Sequence, residues 1–156
     1  MKDRRTTMTH DEKALMQALA RVINVLPRAL DADLRRDQDL PLTEYFALAY
    51  LAESEGHRAR MNELAARLWM TISGATRTVM RLESLGFVAR ERSVSDGRGA
   101  DVVLTEKGLE RLRHAWPSHL RSARRRVLDH LDEDELRILT RALMSIGTDV
   151  DDVNVS

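Results

Sequence analysis

Apolar residues recur three and four positions apart at Leu15, Leu19, Val22, Leu26 and Leu30, the stripe of a helix with one covered face. Pro27 falls inside that stripe, where a missing N–H and a ring clash predict a kink or a division near Leu26. The polar run from Asp31 to Pro41 is expected to end the element. A second helix is predicted to start with Thr43 as its cap, turning Phe46, Leu48 and Leu51 inward with Tyr50 beside them. Residues 54–58 read as a loop, and Ala59, Arg60 and Met61 as a short strand.

The middle of the chain is more regular. Asn62 is expected to cap a short helix carrying Leu64, Ala65 and Leu68, and Thr71 to cap another that ends before Gly86. In that second helix Ala75, Val79 and Leu82 share one face with Ile72 nearby, whereas Ser73, Thr76, Arg77, Met80 and Arg81 lie on the other side. Phe87 to Ser93 alternates as a strand does, residues 93–99 form a turn with two glycines, and Asp101 to Leu104 returns. Thr105 caps a long helix through Leu109, Leu112 and Leu120, with an interruption expected at Pro117. Asp132 and Glu135 start a final helix as a capping-box pair, followed by Leu136, Leu139, Leu143 and Ile146.

Two helices around a tight turn, followed at once by a basic hairpin, suit a surface that fills a DNA major groove and straddles the neighbouring phosphates. Charge supports that reading only when followed along the chain. The formal net charge is zero, yet residues 58–98 hold eight arginines against four acids. Residues 31–55 hold two arginines against seven acids, and residues 129–156 two against eight. A basic middle between acidic flanks can orient a neutral molecule on a polyanion. The further basic run Arg121, Arg124, Arg125 and Arg126 reads as a solvated face or as dimer salt bridges, with phosphate contact the lesser alternative.

Composition narrows the remaining classes. The chain has 156 residues, enough for one compact domain; 43% are hydrophobic but 4% aromatic, so aliphatic side chains must fill the core. No run approaches the roughly 18 apolar residues of a membrane helix, and no apolar stretch follows the basic N-terminus as in a secretory signal. There is no cysteine, which excludes disulfides, thiolate zinc sites and thiol-based sensing and makes the cytoplasm the expected setting. The five histidines lack metal-ligand spacing, and neither a glycine-rich phosphate loop nor an HExxH motif is present. No enzyme, cofactor or metal is expected.

The stretch from Asn62 to Gly108 resembles the MarR family of winged-helix transcriptional regulators. The carrying residues are Leu64, Ala65 and Leu68, then Val79, Leu82 and Gly86, then Asp96 and Arg98 followed by Leu104, Thr105 and Gly108. The resemblance implies a mainly α (α+β) winged helix-turn-helix domain whose N- and C-terminal helices form a dimerisation region. On that layout residues 1–10 are a flexible N-terminus, 11–150 one domain and 151–156 a flexible tail. Residues 11–40 and 106–150 supply the dimerisation helices, and 42–105 the winged motif.

The same resemblance implies a homodimer on a palindromic double-stranded operator, a repressor responsive to a small phenolic or anionic effector, and association with the nucleoid when bound. It places Thr71, Ser73, Thr76, Arg77 and Arg81 toward DNA and makes Arg98 the wing arginine, with Asp96 orienting it or bracing the wing. It also implies an effector site between the dimerisation helices and the winged motif, where Leu26, Tyr45, Trp116 and His119 interrupt aliphatic helix faces and are the candidate lining. Trp69, Gly74 and Met80 depart from the family pattern. A winged-helix protein-interaction module without DNA binding is the alternative.

Overall fold

The computed structural model describes residues 7–92 and 100–151; the expected turn over residues 93–99, with Asp96 and Arg98, lies outside them. The elements run α1 (His10–Gln38), α2 (Leu42–Glu53), a 3-10 turn (Glu55–His57), β1 (Arg58–Arg60), α3 (Met61–Arg67), α4 (Ile72–Ser84), β2 (Val88–Arg92) and β3 (Ala100–Leu104). Then follow α5 (Glu106–Arg126), a second 3-10 turn (Leu128–His130) and α6 (Glu133–Asp151). The strands form one antiparallel sheet in the order β1-β3-β2, with Arg58 opposite Val103 and Val88 opposite Leu104. This is the expected winged helix-turn-helix with flanking helices.

Several boundaries differ from the periodicity reading, each for a local reason. Helix α1 starts earlier, because Thr9 caps it and Glu12 reaches back to the Thr9 N–H at 2.7 Å, closing a capping box. It runs unbroken through Pro27, since losing one backbone bond inside a 29-residue helix leaves the flanking turns intact. It also continues through the polar run. Leu34 and Asp33 are buried there, and Asp31–Arg35 (2.6 Å) and Asp33–Arg36 (3.1 Å) are ion pairs at helical spacing. Asp39 stops it in the left-handed region, φ 49°, donating its N–H to the Arg35 carbonyl.

Thr43 is not the cap of α2. Pro41 stands at that position, and the Asp31 carboxylate accepts the Leu42 N–H at 2.8 Å from α1, so the first orphan donor is satisfied from another helix. Burial opposes ionisation of Asp31, but the Leu42 N–H and Arg35 together hold its pKa below the usual carboxylate value. Helix α3 begins at Met61 rather than after Asn62, with Glu63 accepting the Arg60 N–H at 3.1 Å. Pro117 lies inside α5 without ending it. Phe46, expected inward, is exposed, as is Ile72 at the edge of the inner face of α4.

The chain forms two compact units, one up to His119 and one from Leu120. In the first, Ala47, Leu48 and Leu51 of α2 meet Ala59, Leu64, Val79, Leu82, Val88, Val102 and Leu104 in one core. A second core joins Leu34, Leu40, Leu42, Tyr45 and Ala115, and Leu112 packs against both. Ser118 donates to Asp37 at 2.9 Å, and Arg111 donates to the Gln38 side chain and carbonyl, so α1 and α5 are stitched by polar bonds as well. In the second unit, Asp132 and Glu135 form the expected reciprocal cap at the start of α6.

The Leu104-Thr105-x-x-Gly108 segment acts as a joint between hairpin and helix. Leu104 is in the core, and Thr105 Oγ1 donates to the Gly86 carbonyl at 2.7 Å while accepting the Gly108 N–H at 3.1 Å. A Cβ on Gly108 would overlap the Phe87 carbonyl oxygen and crowd Leu104. Gly108→Ala should therefore cost about 3 kcal/mol of stability through overpacking against backbone. Thermal unfolding checks this: a clear fall in midpoint is expected, and an unchanged midpoint would contradict the close approach.

Candidate nucleic-acid interface

The turn between α3 and α4 is held by three backbone bonds: Leu68 to Leu64 (3.0 Å), Trp69 to Ala66 (3.1 Å) and Met70 to Ala65 (2.9 Å). Closing it places Trp69 at φ 49°, a left-handed conformation that costs a residue with a Cβ on the order of 1 kcal/mol. Thr71 then caps α4 as expected, its Oγ1 accepting the Gly74 N–H at 3.1 Å. Gly74 is buried, and an added Cβ would stand 3.2 Å from Thr71 Oγ1 and 3.4 Å from Met70 Cε. A glycine here lets the cap and the turn close over the first helical turn. Ala75, Val79 and Leu82 bury the inner face of α4.

The expected DNA-facing residues are on the opposite face, in different states. Arg77 is exposed with no acidic partner among the described residues. Ser73 is exposed, with Oγ 3.2 Å from Thr71 Oγ1, and Thr76 is half-buried, donating to the Ile72 carbonyl at 2.8 Å. Arg81 is drawn aside: its Nε lies 2.7 Å from Glu44 Oε1, with the Arg81 side chain 59% exposed and that of Glu44 6%. Asp96 and Arg98 fall outside the described residues.

Half of the eight arginines between residues 58 and 98, Arg81 among them, make bracing contacts. Arg58 on β1 reaches Glu91 on β2 at 3.0 Å and the buried Asp101 on β3 at 3.6 Å. Arg90 pairs with Glu83 at 3.4 Å, tying β2 to α4, and Arg67 lies 5.8 Å over the Tyr50 ring. Arg77 and Arg92 remain exposed without an acidic partner among the described residues. The positive edge is narrower than the sequence count implies.

Three of the four expected effector-site residues come together where α2 meets α5. Tyr45 is buried and its ring centroid lies 4.4 Å from that of His119; Trp116, exposed, lies 6.4 Å from the same imidazole. Phe46, which the sequence reading placed in the core, is 5.8 Å from His119 and belongs to this group. Leu26 is half-buried on α1, and Leu30 rather than Leu26 packs against the core containing Tyr45. Burial pushes the Tyr45 hydroxyl up to about 12, with the Glu53 charge adding to the shift. Burial also lowers the pKa of His119, whose Nδ1 is buried without a hydrogen-bond partner. Two surface hollows, one around Tyr50, Glu53 and Arg67 and one around Gln38, Lys107 and His114, do not include these residues.

Glu44 was visible in the sequence only as one acid of an acidic stretch. The signal that marks it is its place in the first turn of an otherwise apolar helix, where a buried carboxylate needs a cation.

Comparison with known proteins gives a consistent picture. Residues 38–99 match the model of the MarR family. The HTH-type transcriptional repressor Mb2911 of Mycobacterium bovis is 33% identical over 139 residues, 89% of this chain and 97% of that protein. The transcriptional repressor MprA of Escherichia coli (strain K12) is 33% identical over 110 residues, 69% of this chain; the chain spans 62% of that relative's length. The crystal structure of Sco3205, a MarR family transcriptional regulator from Streptomyces coelicolor, in complex with DNA, superposes with a TM-score of 0.85 at 33% identity. The match covers 92% of this chain and 94% of Sco3205.

Two outcomes follow from the geometry. Arg81→Ala leaves a buried carboxylate unpaired and should cost about 2–3 kcal/mol, whereas Glu44→Gln removes the charge in the same shape and should cost less than about 1 kcal/mol. Chemical denaturation of both variants decides; equal losses would contradict the asymmetry. His119 is held neutral by burial, so the unfolded chain takes up its proton first once the pH falls below 6.5. Stability should therefore decline as pH drops below 6.5 and level off beneath the folded-state value. In His119→Gln that component of the decline should vanish, and an identical pH profile for both proteins would refute it.

Proposed function

The chain belongs to the MarR family of transcriptional regulators, and from that membership we propose that it is a homodimeric repressor of a palindromic double-stranded operator. The observation that carries the reading is α4 itself. It is packed by its inner face into a helix-turn-helix and presents Ser73, Arg77 and Met80 outward, with the hairpin β2–β3 following directly. Such a helix fits the major groove. Repressors among the relatives, and a related regulator crystallised with DNA, favour this over a protein-interaction module.

Uncovered apolar side chains support the dimer. Helix α1 exposes Leu15, Met16, Val22, Ile23 and Val25; α6 exposes Leu136, Ile138, Leu139, Leu143, Met144 and Ile146. A second copy would bury them and set two α4 helices about 34–36 Å apart, one turn of duplex. Asp96 and Arg98 keep the roles that the resemblance gives them, Arg98 in the minor groove and Asp96 orienting it or bracing the wing. A small phenolic or anionic effector would bind beside the Tyr45–His119 stack with Trp116, and Leu26 at its margin. It would act by shifting the population of dimer geometries that match the operator. The cytoplasm is the natural setting; among the described residues no helix is long and apolar enough to cross a membrane.

A salt-series mobility shift on a selected duplex tests the assignment. Arg77→Ala should lower affinity about tenfold or more, and Arg98→Ala should reduce the salt slope by about one unit. Wild-type affinity and slope in both variants would contradict it.

A further inference from the structure

The outward face of α4 is more apolar than phosphate binding requires. Trp69, in the turn, is 83% exposed, Ile72 61% and Met80 57%. Ile72, Thr76 and Met80 stand four residues apart and so form one row along the helix, with Trp69 three residues ahead of Ile72. The hydroxyls around this row are already committed. Thr71 Oγ1 accepts from Gly74 and lies 3.2 Å from Ser73 Oγ, while Thr76 Oγ1 and Thr78 Oγ1 donate to backbone carbonyls of their own helix at 2.8 and 3.3 Å. Beside Ser73, Arg77 and the half-exposed Arg81, the outward surface is hydrocarbon, sulfur and indole.

The fold gains little from this row. Trp69 holds a left-handed backbone conformation, φ 49°, while its side chain lies in solvent, so packing does not offset the strain. Ile72 and Met80 likewise leave most of their apolar surface uncovered. A second copy of this chain meeting the face would bring two arginine-bearing surfaces together. A polyanion presenting methyl groups between its phosphates matches both features of the surface.

We propose that Trp69, Ile72 and Met80 read the C5 methyl groups of thymines in the major groove. This rests on the DNA-binding function proposed above and names what that surface selects. In the major groove thymine is the base that carries a methyl, so apolar side chains distinguish it from cytosine where hydrogen-bonding groups are absent. Arg77 anchors the same face to phosphate or guanine.

The test uses the tightest duplex recovered from a random pool, and the same duplex rebuilt with deoxyuridine for thymidine, singly and throughout. Each methyl lost beneath α4 should weaken wild-type binding about two- to fivefold. Trp69→Ala and Met80→Ser should bind the thymidine duplex more weakly and lose most of that discrimination, while folding normally by circular dichroism. Equal affinity of wild type for both duplexes would overturn methyl reading and leave DNA binding standing. So would discrimination that persists undiminished in the variants. A change in oligomeric mass on Trp69→Ala, seen by sedimentation without DNA, would assign the row to protein contact instead. Failure to bind any duplex would sink the underlying function together with this inference.

Discussion

Helix α2 is buried in two cores at once, and the rest of the first unit is arranged around that constraint. Its Ala47, Leu48 and Leu51 face the sheet, α3 and α4, while Leu42 and Tyr45 face α1 and α5. A helix covered on opposite sides cannot shift against one core without disturbing the other, because close-packed interiors move between discrete arrangements rather than deforming smoothly. Adjacent residues on this helix carry the two polar consequences. Glu44 holds Arg81 of α4, and Tyr45 stacks on His119 of α5. The same short helix thus carries both the contact to α4 and the contact to α5.

The same economy governs charge. Arginine is abundant in the middle of the chain, but Arg58, Arg81 and Arg90 answer carboxylates on neighbouring elements, two of them buried. These pairs brace the base of the hairpin and the flank of α4. On the outward face of α4 the hydroxyls of Thr71 and Thr76 cap and back-bond the helix, while Ile72 and Met80 are exposed.

Several local signals in the sequence hold, although Asn62 does not cap α3. Thr71 as the cap of α4, the Thr105–Gly108 bond and the Asp132–Glu135 box rest on contacts within a few residues, and each is present; the inner row Ala75, Val79 and Leu82 follows from helical spacing. The start of α2 was not legible because its capping carboxylate comes from Asp31 in the preceding helix. Pro27 read as a break because its cost is local, whereas its tolerance depends on the whole of α1. The Glu44–Arg81 pair joins two helices with no periodic link between them, and Phe46 looked like core because an apolar helix gives no phase by which to orient it.

The central claim is that α4 enters the major groove, presented twice by a symmetric pair of chains. Chemical footprinting of the intact protein on a high-affinity duplex measures this directly. The account predicts two symmetric patches of major-groove protection centred one helical turn apart, about 10–10.5 base pairs. A single patch, or protection confined to the minor groove, would contradict it.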